Sequence, residues 1–543
     1  MAASRLVGPR GRSPGAEGAV EYFRKEAVIF AGACTGLRKA AEGPADVEAL
    51  RQQLALARLR YKRIESFLEY FFRSSATIYN RPPKFEAEDG GMEYQEPVGM
   101  QLMESLLYAK TLDRRALLEQ AKAVESSAVD LPALLYGLKA TDRQVLESLR
   151  IELIRVMALD VTGYEAPLLK SGIGESRAAM EALGVQLGPY LDGKRGDSVR
   201  LFLRRTAEML QGGFDVFDRV RFLREAMLPL QRQLGLFIRE RGLELNTTKM
   251  LNYSAEDIFS RNAFLIGQED IELEKRGRRL FFDSSLSGNG RKACASCHNP
   301  AKAFTDGLRV SVGLDGHQLL DRNAPTLLYA GYQFSQFWDG RVKSLEEQIR
   351  TVLPNPREMG ATVVREEDVK AIAAYVRSLR PMNSAFDLFL RGTGELSPGA
   401  RRGANLFMGK AQCATCHFIP LFNGLIPPDY AVTEFEVLGT TADDDFGHLQ
   451  LSPDSGRYGP YPLPFFRGAF KTPTVRNAAL TAPYMHNGGF RSLETVIQFY
   501  NNGGGAGMGL KVPDQTLSAD SLRLSHAEIN DIVLFIHTLT DSL

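Results

Sequence analysis

The sequence Cys294-Ala295-Ser296-Cys297-His298 has a second version further along the chain, Cys413-Ala414-Thr415-Cys416-His417. Each is a Cys-x-x-Cys-His motif, in which two thiols one helical turn apart are followed directly by an imidazole. This pattern is the attachment signature of a c-type haem, whose vinyl groups take the thiols and whose iron takes the histidine. The sequence therefore predicts two covalently bound c-type haems, held by Cys294, Cys297 and His298 and by Cys413, Cys416 and His417.

Other interpretations of these cysteines fit the spacing less well. Structural zinc sites usually gather their ligands within a few tens of residues, whereas the two motifs lie more than a hundred residues apart. A disulfide or a thioredoxin-like redox pair would not explain a histidine after both motifs. Cys34 is the one cysteine outside the motifs, and we expect it to be a small buried residue of a helix.

The composition is typical of a globular protein. The 543 residues are 44% hydrophobic and 24% charged, with a formal net charge of +1. This balance permits packed cores and gives no electrostatic reason to expect nucleic acid or an anionic membrane as a partner. No apolar run reaches the roughly 18 to 20 residues that cross a bilayer. The length suggests about three domains.

The chemistry of the haem motifs also predicts a cellular location. Haem is normally attached to cysteines outside the cytoplasm, so we expect a periplasmic protein. Residues 1–18 are rich in Gly, Arg and Pro and lack the apolar core of an export signal. The location is therefore predicted from the chemistry alone, and residues 1–19 are predicted to form a flexible tail.

The chain divides near Asn246, because all seven histidines lie from His298 onward. Before this point apolar residues recur at helical spacing over residues 46–72, 142–159 and 216–241. The proline-containing stretch 81–97 interrupts the pattern as a loop. Residues 20–245 are therefore predicted to form an all-helical bundle.

Two stretches of this bundle are similar to the helix pair of the imelysin-like family. They are Tyr61-Lys62-Arg63-Ile64-Glu65 with Glu69-Tyr70, and Glu96-Pro97-Val98-Gly99-Met100-Gln101. That family is associated with a Gly-x-His-x-x-Glu metal motif, which a segment without histidine cannot contain. We therefore expect a docking or scaffold bundle. Glu65, Glu69, Glu96 and Glu104 are expected on a solvated helix face, with contact to an ion or a partner as the alternative.

The remainder of the chain is an internal duplication. An apolar helix precedes each haem motif, at 273–282 and 400–407, and an amphipathic helix ends each half, at 366–379 and 526–539. Helix, haem loop and terminal helix in this order are typical of a cytochrome c domain. The predicted fold is thus mainly α, with an N-terminal helical bundle followed by two tandem cytochrome c-type domains at 246–395 and 396–543.

Several further stretches occur in the order typical of one family. They are Ala303-Phe304-Thr305-Asp306, Arg322-Asn323-Ala324-Pro325-Thr326, Phe337-Trp338-Asp339-Gly340-Arg341, Glu346-Glu347-Gln348, Pro354-Asn355-Pro356-Arg357-Glu358-Met359, Thr472-Pro473-Thr474-Val475-Arg476-Asn477, Thr481-Ala482-Pro483-Tyr484-Met485-His486-Asn487-Gly488 and Ser492-Leu493-Glu494. By these stretches the C-terminal part resembles the bacterial dihaem cytochrome c peroxidase family, which includes the MauG-like enzymes.

The resemblance implies different tasks for the two haems. The first would react with peroxide, and the second would receive or store electrons. Glu358 occupies the family's catalytic glutamate position, and Gln348 that of its distal-pocket glutamine. Trp338 matches the tryptophan that carries electrons between the haems, with packing at a turn as the alternative. Asn323 matches a ligand of a calcium ion between the domains.

The sixth ligand of the second haem is a choice between two residues. Tyr500 matches the position at which the peroxidases carry a methionine and the MauG-like enzymes carry a tyrosine. A phenolate ligand at this position would lower the reduction potential of the haem. Met485 is the rival ligand, with a place in the core as its alternative. Some members block the first haem with a histidine in the region of His317. This residue lies five positions before Arg322, which differs from the family spacing, and its alternative is an exposed loop residue.

These expectations combine into one predicted activity. The protein would reduce hydrogen peroxide to water with electrons from a small redox protein, either a cytochrome c or a cupredoxin. The alternatives are a MauG-like oxidase that modifies a protein side chain by long-range oxidation, and a non-catalytic multihaem electron carrier. No membrane span and no nucleic-acid partner are expected, and a homodimer is a further expectation.

Overall fold

A computed structural model describes residues 14–87, 94–243, 258–259, 263–264 and 270–542. The described chain forms two compact units, the first with the residues up to Ile258 and the second with those from Phe259 onward. The predicted boundary between residues 245 and 246 lies outside the described residues, as do residues 1–13 of the predicted tail. Helix α1 (Pro14–Glu42) contains the rest of that tail, so residues 14–19 are helical.

The first unit consists of helices with one short β-pair. After α1 its helices are α2 (Val47–Lys62), α3 (Glu65–Phe71), α4 (Arg73–Tyr79), α5 (Met100–Tyr108), α6 (Arg114–Leu134), α7 (Asp142–Arg155), α8 (Gly172–Leu187), α9 (Gly193–Met209), α10 (Arg219–Phe222) and α11 (Leu228–Glu240). Strands β1 (Glu86–Ala87) and β2 (Tyr94–Gln95) are antiparallel, with Glu86 opposite Gln95.

The helix predicted over residues 46–72 is two helices in the structure. Asp46 caps the start of α2 by accepting a hydrogen bond from the backbone of its first turn. The amide groups of Arg63 and Ile64 bond to carbonyls three residues back, which tightens the last turn. The chain therefore leaves α2 after Lys62 and enters α3 at Glu65.

Helix α1 supplies part of the first unit's core. Phe30 and Cys34 are fully buried on one side of this helix. The ring of Phe30 meets that of Tyr79 edge to face, with centroids 5.1 Å apart. The prediction that Cys34 is a small buried helical residue is confirmed.

The second unit holds both haem motifs. Its helices are α12 (Ile271–Phe281), α13 (Cys294–Cys297), α14 (Leu345–Val352), α15 (Glu366–Ser378), α16 (Ala385–Leu390), α17 (Pro398–Phe407), α18 (Leu493–Asn501), α19 (Gly504–Gly507) and α20 (His526–His537). Strands β3 (Phe435–Val437) and β4 (Ala469–Lys471) form an antiparallel pair in which Phe435 lies opposite Lys471.

Helices α12 and α15 cross at a glycine. A Cβ on Gly277 would lie 1.8 Å from the carbonyl oxygen of Ala371, so only glycine allows this approach. One turn later Phe281 packs edge to face against Tyr375, with centroids 5.1 Å apart. The crossing joins the helix before the first haem motif to the helix that ends that half.

Helices α17 and α20 repeat this crossing in the second half. A Cβ on Gly403 would lie 1.8 Å from the carbonyl oxygen of Asp531. Phe407 packs against Phe535 with centroids 5.3 Å apart, at the same offsets from the glycine and its partner as in the first half. The internal duplication read from the sequence therefore extends to the packing of the helices.

The prediction of a mainly α protein is confirmed. Within the described ranges, the named strands are the two short pairs β1–β2 and β3–β4. The same part of the chain contains no helix with the length and apolar character needed to cross a bilayer.

Candidate functional site

The first haem motif begins on the short helix α13. This single turn carries Cys294 and Cys297, and the amide of His298 bonds to the carbonyl oxygen of Cys294 at 2.9 Å. The imidazole Nδ1 of His298 donates to the carbonyl oxygen of Phe304 at 3.1 Å. Phe304 has a φ of +60°, which helps to turn its carbonyl back toward the histidine. The hydrogen bond at Nδ1 leaves Nε2 as the metal-binding nitrogen.

The second motif has the same local geometry. Its cysteines begin on a 3₁₀ turn, and the amide of His417 bonds to the carbonyl oxygen of Cys413 at 2.9 Å. Nδ1 of His417 donates to the carbonyl oxygen of Pro473 at 2.9 Å. Both histidines are thus oriented by a backbone carbonyl, as haem-ligating histidines require.

The protonation states of both motifs suit a c-type haem. Burial lowers the pKa of His417 to about 4 and lowers that of His298 below its usual value. Neutral imidazoles are the form that binds iron. Burial also raises the pKa values of Cys294 and Cys413 to about 12, so these thiols stay protonated at neutral pH. Two thiols for the vinyl groups and one free imidazole nitrogen for the iron are the groups that a covalently bound haem needs.

Glu358 and Gln348 carry the polar groups predicted for the first haem pocket. Glu358 accepts a hydrogen bond from Nδ2 of Asn355 at 3.0 Å, and burial raises the pKa of Glu358 against the opposing effect of Arg341. Burial is the main reason why the pKa of Cys297 is raised, and the negative charge of Glu358 raises it further. The carboxylate therefore lies within electrostatic range of the first motif.

Gln348 lies on α14 and is half-buried. Its Oε1 atom is buried and has no hydrogen-bond partner among the described residues. A buried amide oxygen without a donor costs free energy unless a ligand or water supplies one. This oxygen is therefore available to a small bound molecule.

Trp338 is connected to both halves of the second unit. Its indole Nε1 donates to the carbonyl oxygen of Asn323 at 2.9 Å, and its own carbonyl oxygen accepts from the amide of Lys471 at 2.8 Å. Asn323 belongs to the first half and Lys471 to the second, on β4. The structure thus places Trp338 at a junction of the two halves, hydrogen-bonded to each.

Tyr500 lies close to the second haem motif. It is on α18, and its pKa is raised by burial, with further contributions from the charges of Cys416 and Cys413. Met485, the rival ligand, occupies a turn with a left-handed φ of +69° and is half-buried. Tyr500 therefore lies near both cysteines of the second motif.

His317 and Asn323 occupy contrasting environments. His317 is exposed, and its backbone amide donates to Asp315. Asn323 is buried, and its Nδ2 donates to the carbonyl oxygen of Leu308 at 2.9 Å. Within the described residues there is no group of three or more His, Cys, Asp or Glu side chains suited to a metal ion.

The structure adds residues that the sequence analysis left without a role. Arg322 forms ion pairs with Asp339 and Asp454, and His486 is buried against a phenylalanine ring. Burial lowers the pKa of Lys471 to about 7. Arg322 directly precedes Asn323, and Asp339 directly follows Trp338. Their positions next to predicted site residues are the sequence feature by which they could have been found.

The acidic residues of the first unit differ from the expectation. Glu65 is fully buried and Glu104 is 2% exposed, so the predicted solvated face is wrong for both. Glu65 binds the buried ammonium group of Lys62 at 2.8 Å. Glu69 pairs with Arg155 at 3.0 Å and is mostly covered. Glu96 is exposed as predicted, but it precedes α5 and does not belong to a helix.

Comparisons with known proteins concern the part of the chain that carries these motifs. The family model for di-haem cytochrome c peroxidase matches residues 269–367. Cytochrome-c peroxidase IdrP2 of Denitromonas iodatirespirans is 31% identical over 320 residues, covering 50% of this chain and 82% of that protein. Methylamine utilization protein MauG of Methylorubrum extorquens is 32% identical over 291 residues, covering 48% of this chain and 76% of that protein.

Among solved structures, the crystal structure of a MauG-like protein associated with microbial copper homeostasis is 31% identical. It covers 51% of this chain and 90% of that chain, with a TM-score of 0.43. The relatives named above are matched over most of their own length and at more than 30% identity. The chain therefore belongs to the dihaem cytochrome c peroxidase family and is an oxidoreductase of that type.

Proposed function

We propose that this protein reduces hydrogen peroxide to water at the site of His298. The electrons come from a small redox protein, a cytochrome c or a cupredoxin, and enter through the site of His417. Each peroxide takes up two electrons and two protons and becomes two waters. The family includes both peroxidases and MauG proteins, so membership alone does not fix the reaction or the electron donor, and both are proposed here.

The two Cys-x-x-Cys-His motifs would hold two c-type haems through their thiols and through Nε2 of His298 and His417. Bound haem iron supplies the redox chemistry that breaks the peroxide bond, which side chains alone cannot do. The protein side chains bind the peroxide, move its protons and guide the electrons.

Glu358 is the group that moves a proton between the two peroxide oxygens. Burial raises its pKa above that of an exposed carboxylate, which makes Glu358 a better proton acceptor in general acid–base catalysis. Asn355 holds the carboxylate in place, and the unpaired Oε1 of Gln348 can accept a hydrogen bond from peroxide. This pairing of a raised-pKa carboxylate with an unsatisfied buried amide oxygen is the observation that carries the proposal.

The test is peroxide turnover by the haem-loaded protein with a reduced cytochrome c or cupredoxin. Glu358→Gln should lower kcat/KM for peroxide about 10²- to 10³-fold, because general acid–base catalysis typically contributes that much. Glu367→Gln is the matched control, since Glu367 is an exposed carboxylate on α15. Full peroxide turnover by Glu358→Gln would refute the assigned role.

A second candidate function is a MauG-like oxidation of a protein side chain. The observation that favours it is the position of Tyr500 beside Cys413 and Cys416, because a phenolate ligand stabilises oxidised iron. This candidate predicts no turnover with reduced small redox proteins and peroxide-dependent oxidation of a co-encoded protein. Tyr500→Phe should then abolish the oxidation.

The remaining assignments follow from the proposed chemistry. We place the protein in the periplasm, where haem is attached to cysteines. Oδ1 of Asn323 is the proposed side-chain ligand of a calcium ion, a hard cation that prefers oxygen donors. Trp338 is the proposed electron carrier between the two haem sites.

A further inference from the structure

A closed ring of contacts surrounds Trp338. Its indole Nε1 donates to the carbonyl oxygen of Asn323 at 2.9 Å, and the amide of Asn323 donates to the carbonyl oxygen of His486 at 2.8 Å. The imidazole of His486 stacks on the ring of Phe470, with centroids 3.6 Å apart and planes 10° from parallel. The next residue, Lys471, donates its amide to the carbonyl oxygen of Trp338 at 2.8 Å. The ring returns to the residue from which it started.

Arg322 connects the members of this ring. Its Nη1 donates to Asp339, the neighbour of Trp338, at 2.6 Å. Its Nε and Nη2 donate to the two carboxylate oxygens of Asp454, at 2.6 and 2.9 Å. Its guanidinium carbon lies 5.4 Å from the centroid of the Phe470 ring. One side chain thus ties the loop that accepts the indole hydrogen bond to both halves of the second unit.

We propose that Arg322 is a positioning residue for the Trp338 electron relay. The inference rests on the proposed function, in which Trp338 passes electrons between the two haem sites. Arg322 would hold the indole at a fixed orientation and distance. Together with Arg341, which binds the same oxygen of Asp339 at 2.7 Å, it would also compensate the charge of that carboxylate. Lysine cannot reproduce this geometry, because an ammonium group lacks the planar fork that binds both oxygens of Asp454 while a further N–H reaches Asp339.

The electron balance of the relay needs no further reactant. One electron leaves the indole toward the site of His298, and one electron returns to it from the site of His417. No bond forms or breaks, and the indole proton stays on Nε1, facing the carbonyl oxygen of Asn323. Orientation and local charge are therefore what the surrounding residues can control.

The experiment compares Arg322→Lys and Trp338→Phe with the unaltered two-haem protein. Half-reduced protein is mixed with peroxide, and stopped-flow spectroscopy follows electron transfer between the two haem sites. Arg322→Lys should slow this transfer about tenfold, because small displacements of a reacting group are costly. Trp338 is the only tryptophan, so ultraviolet resonance Raman reads its N–H hydrogen bond directly, and that band should shift in Arg322→Lys.

Arg402→Lys is the matched control. Arg402 makes the same two-bond contact with an aspartate, Asp531, at 2.7 and 2.8 Å, but on helices α17 and α20. It should leave the transfer rate and the indole band unchanged. If Arg322→Lys fails to load two haems, Asp454→Asn tests the same contact from its other end.

The outcomes separate the inference from the function beneath it. Slower transfer and a shifted indole band in Arg322→Lys, with slower transfer in Trp338→Phe, support the inference. Normal transfer in Arg322→Lys beside slow transfer in Trp338→Phe overturns the role of Arg322 and leaves the relay intact. Normal transfer in Trp338→Phe removes the relay itself and the inference with it.

Discussion

Replacing Glu104 with glutamine should make the first unit less sensitive to pH. Glu104 is 2% exposed. Burial raises its pKa from 4.5 to about 7, although Arg58 and the backbone amides of Leu168 and Leu169 oppose the rise. Those amides donate to its Oε1 at 3.0 and 2.5 Å. The carboxyl group therefore binds its proton more tightly in the folded chain than in the unfolded chain.

The sign of the effect follows from this difference. Below about pH 4.5 the carboxyl group of Glu104 is protonated in both the folded and the unfolded chain, so it does not make the free energy of unfolding depend on pH. As the pH rises toward 7, only the unfolded chain loses the proton, so the free energy of unfolding falls by about 1.4 kcal/mol per pH unit. The free energy of unfolding falls by about 3 kcal/mol in total, because the pKa of this buried group rises from 4.5 to about 7 on folding. Above pH 7 the loss stays constant.

Glu104→Gln removes the ionisation and keeps an amide oxygen for both backbone donors. Native-state hydrogen exchange by mass spectrometry in urea, on the full chain, measures the free energy of unfolding from peptides of α5. The advantage of the glutamine variant should grow by about 3 kcal/mol between pH 4.5 and 7.5. Glu119→Gln, at an exposed position of α6, is the control and should show no such growth. A difference for Glu104→Gln that is independent of pH would refute the reasoning.

Two further predictions concern the second unit. Tyr500→Phe should change the spectrum of the second haem to that of a site without its sixth ligand, whereas Met485→Leu should not; the reverse result would make Met485 the ligand. Gly277→Ala should destabilise the second unit by about 3 kcal/mol in thermal unfolding, because the new Cβ would lie 1.8 Å from the carbonyl oxygen of Ala371. Gly184→Ala, a helical position with nothing within 4 Å, is the control and should be neutral or stabilising. Equal stability of the two alanine variants would show that the α12–α15 crossing is not tight.

Local patterns in the sequence were sufficient for the haem motifs and the paired helices. The Cys-x-x-Cys-His spacing requires a turn that presents both thiols together, and α13 is such a turn. The helices predicted at 366–379 and 526–539 are found as α15 and α20, because their apolar residues recur with the helical period. Period and spacing are properties of short segments, which a sequence displays directly.

Contacts between distant segments were not visible in this way. Glu65 was expected in water, yet it is buried and pairs with Lys62. The same ammonium group also binds Asp160 and Glu165, about a hundred residues further along. His486 was assigned no chemistry, yet its ring and carbonyl both support the surroundings of Trp338. The sequence does not reveal whether a charged side chain or an imidazole contacts solvent or a partner residue from a distant segment.

Buried charge is balanced in two ways. Arg476 with Asp387 in the second unit and Arg58 with Glu175 in the first are buried two-bond pairs, which compensate one charge with another. In the first unit the ammonium of Lys62 meets three carboxylates, and the neighbouring buried Glu152 shares a side-chain hydrogen bond with Glu65. Two buried carboxyl groups can share a hydrogen bond only when one of them carries a proton. The first unit therefore holds protons that the unfolded chain releases, so its free energy of unfolding should fall as the pH rises through neutrality. The Arg476–Asp387 pair holds no such proton, so its contribution to stability should not change over this range.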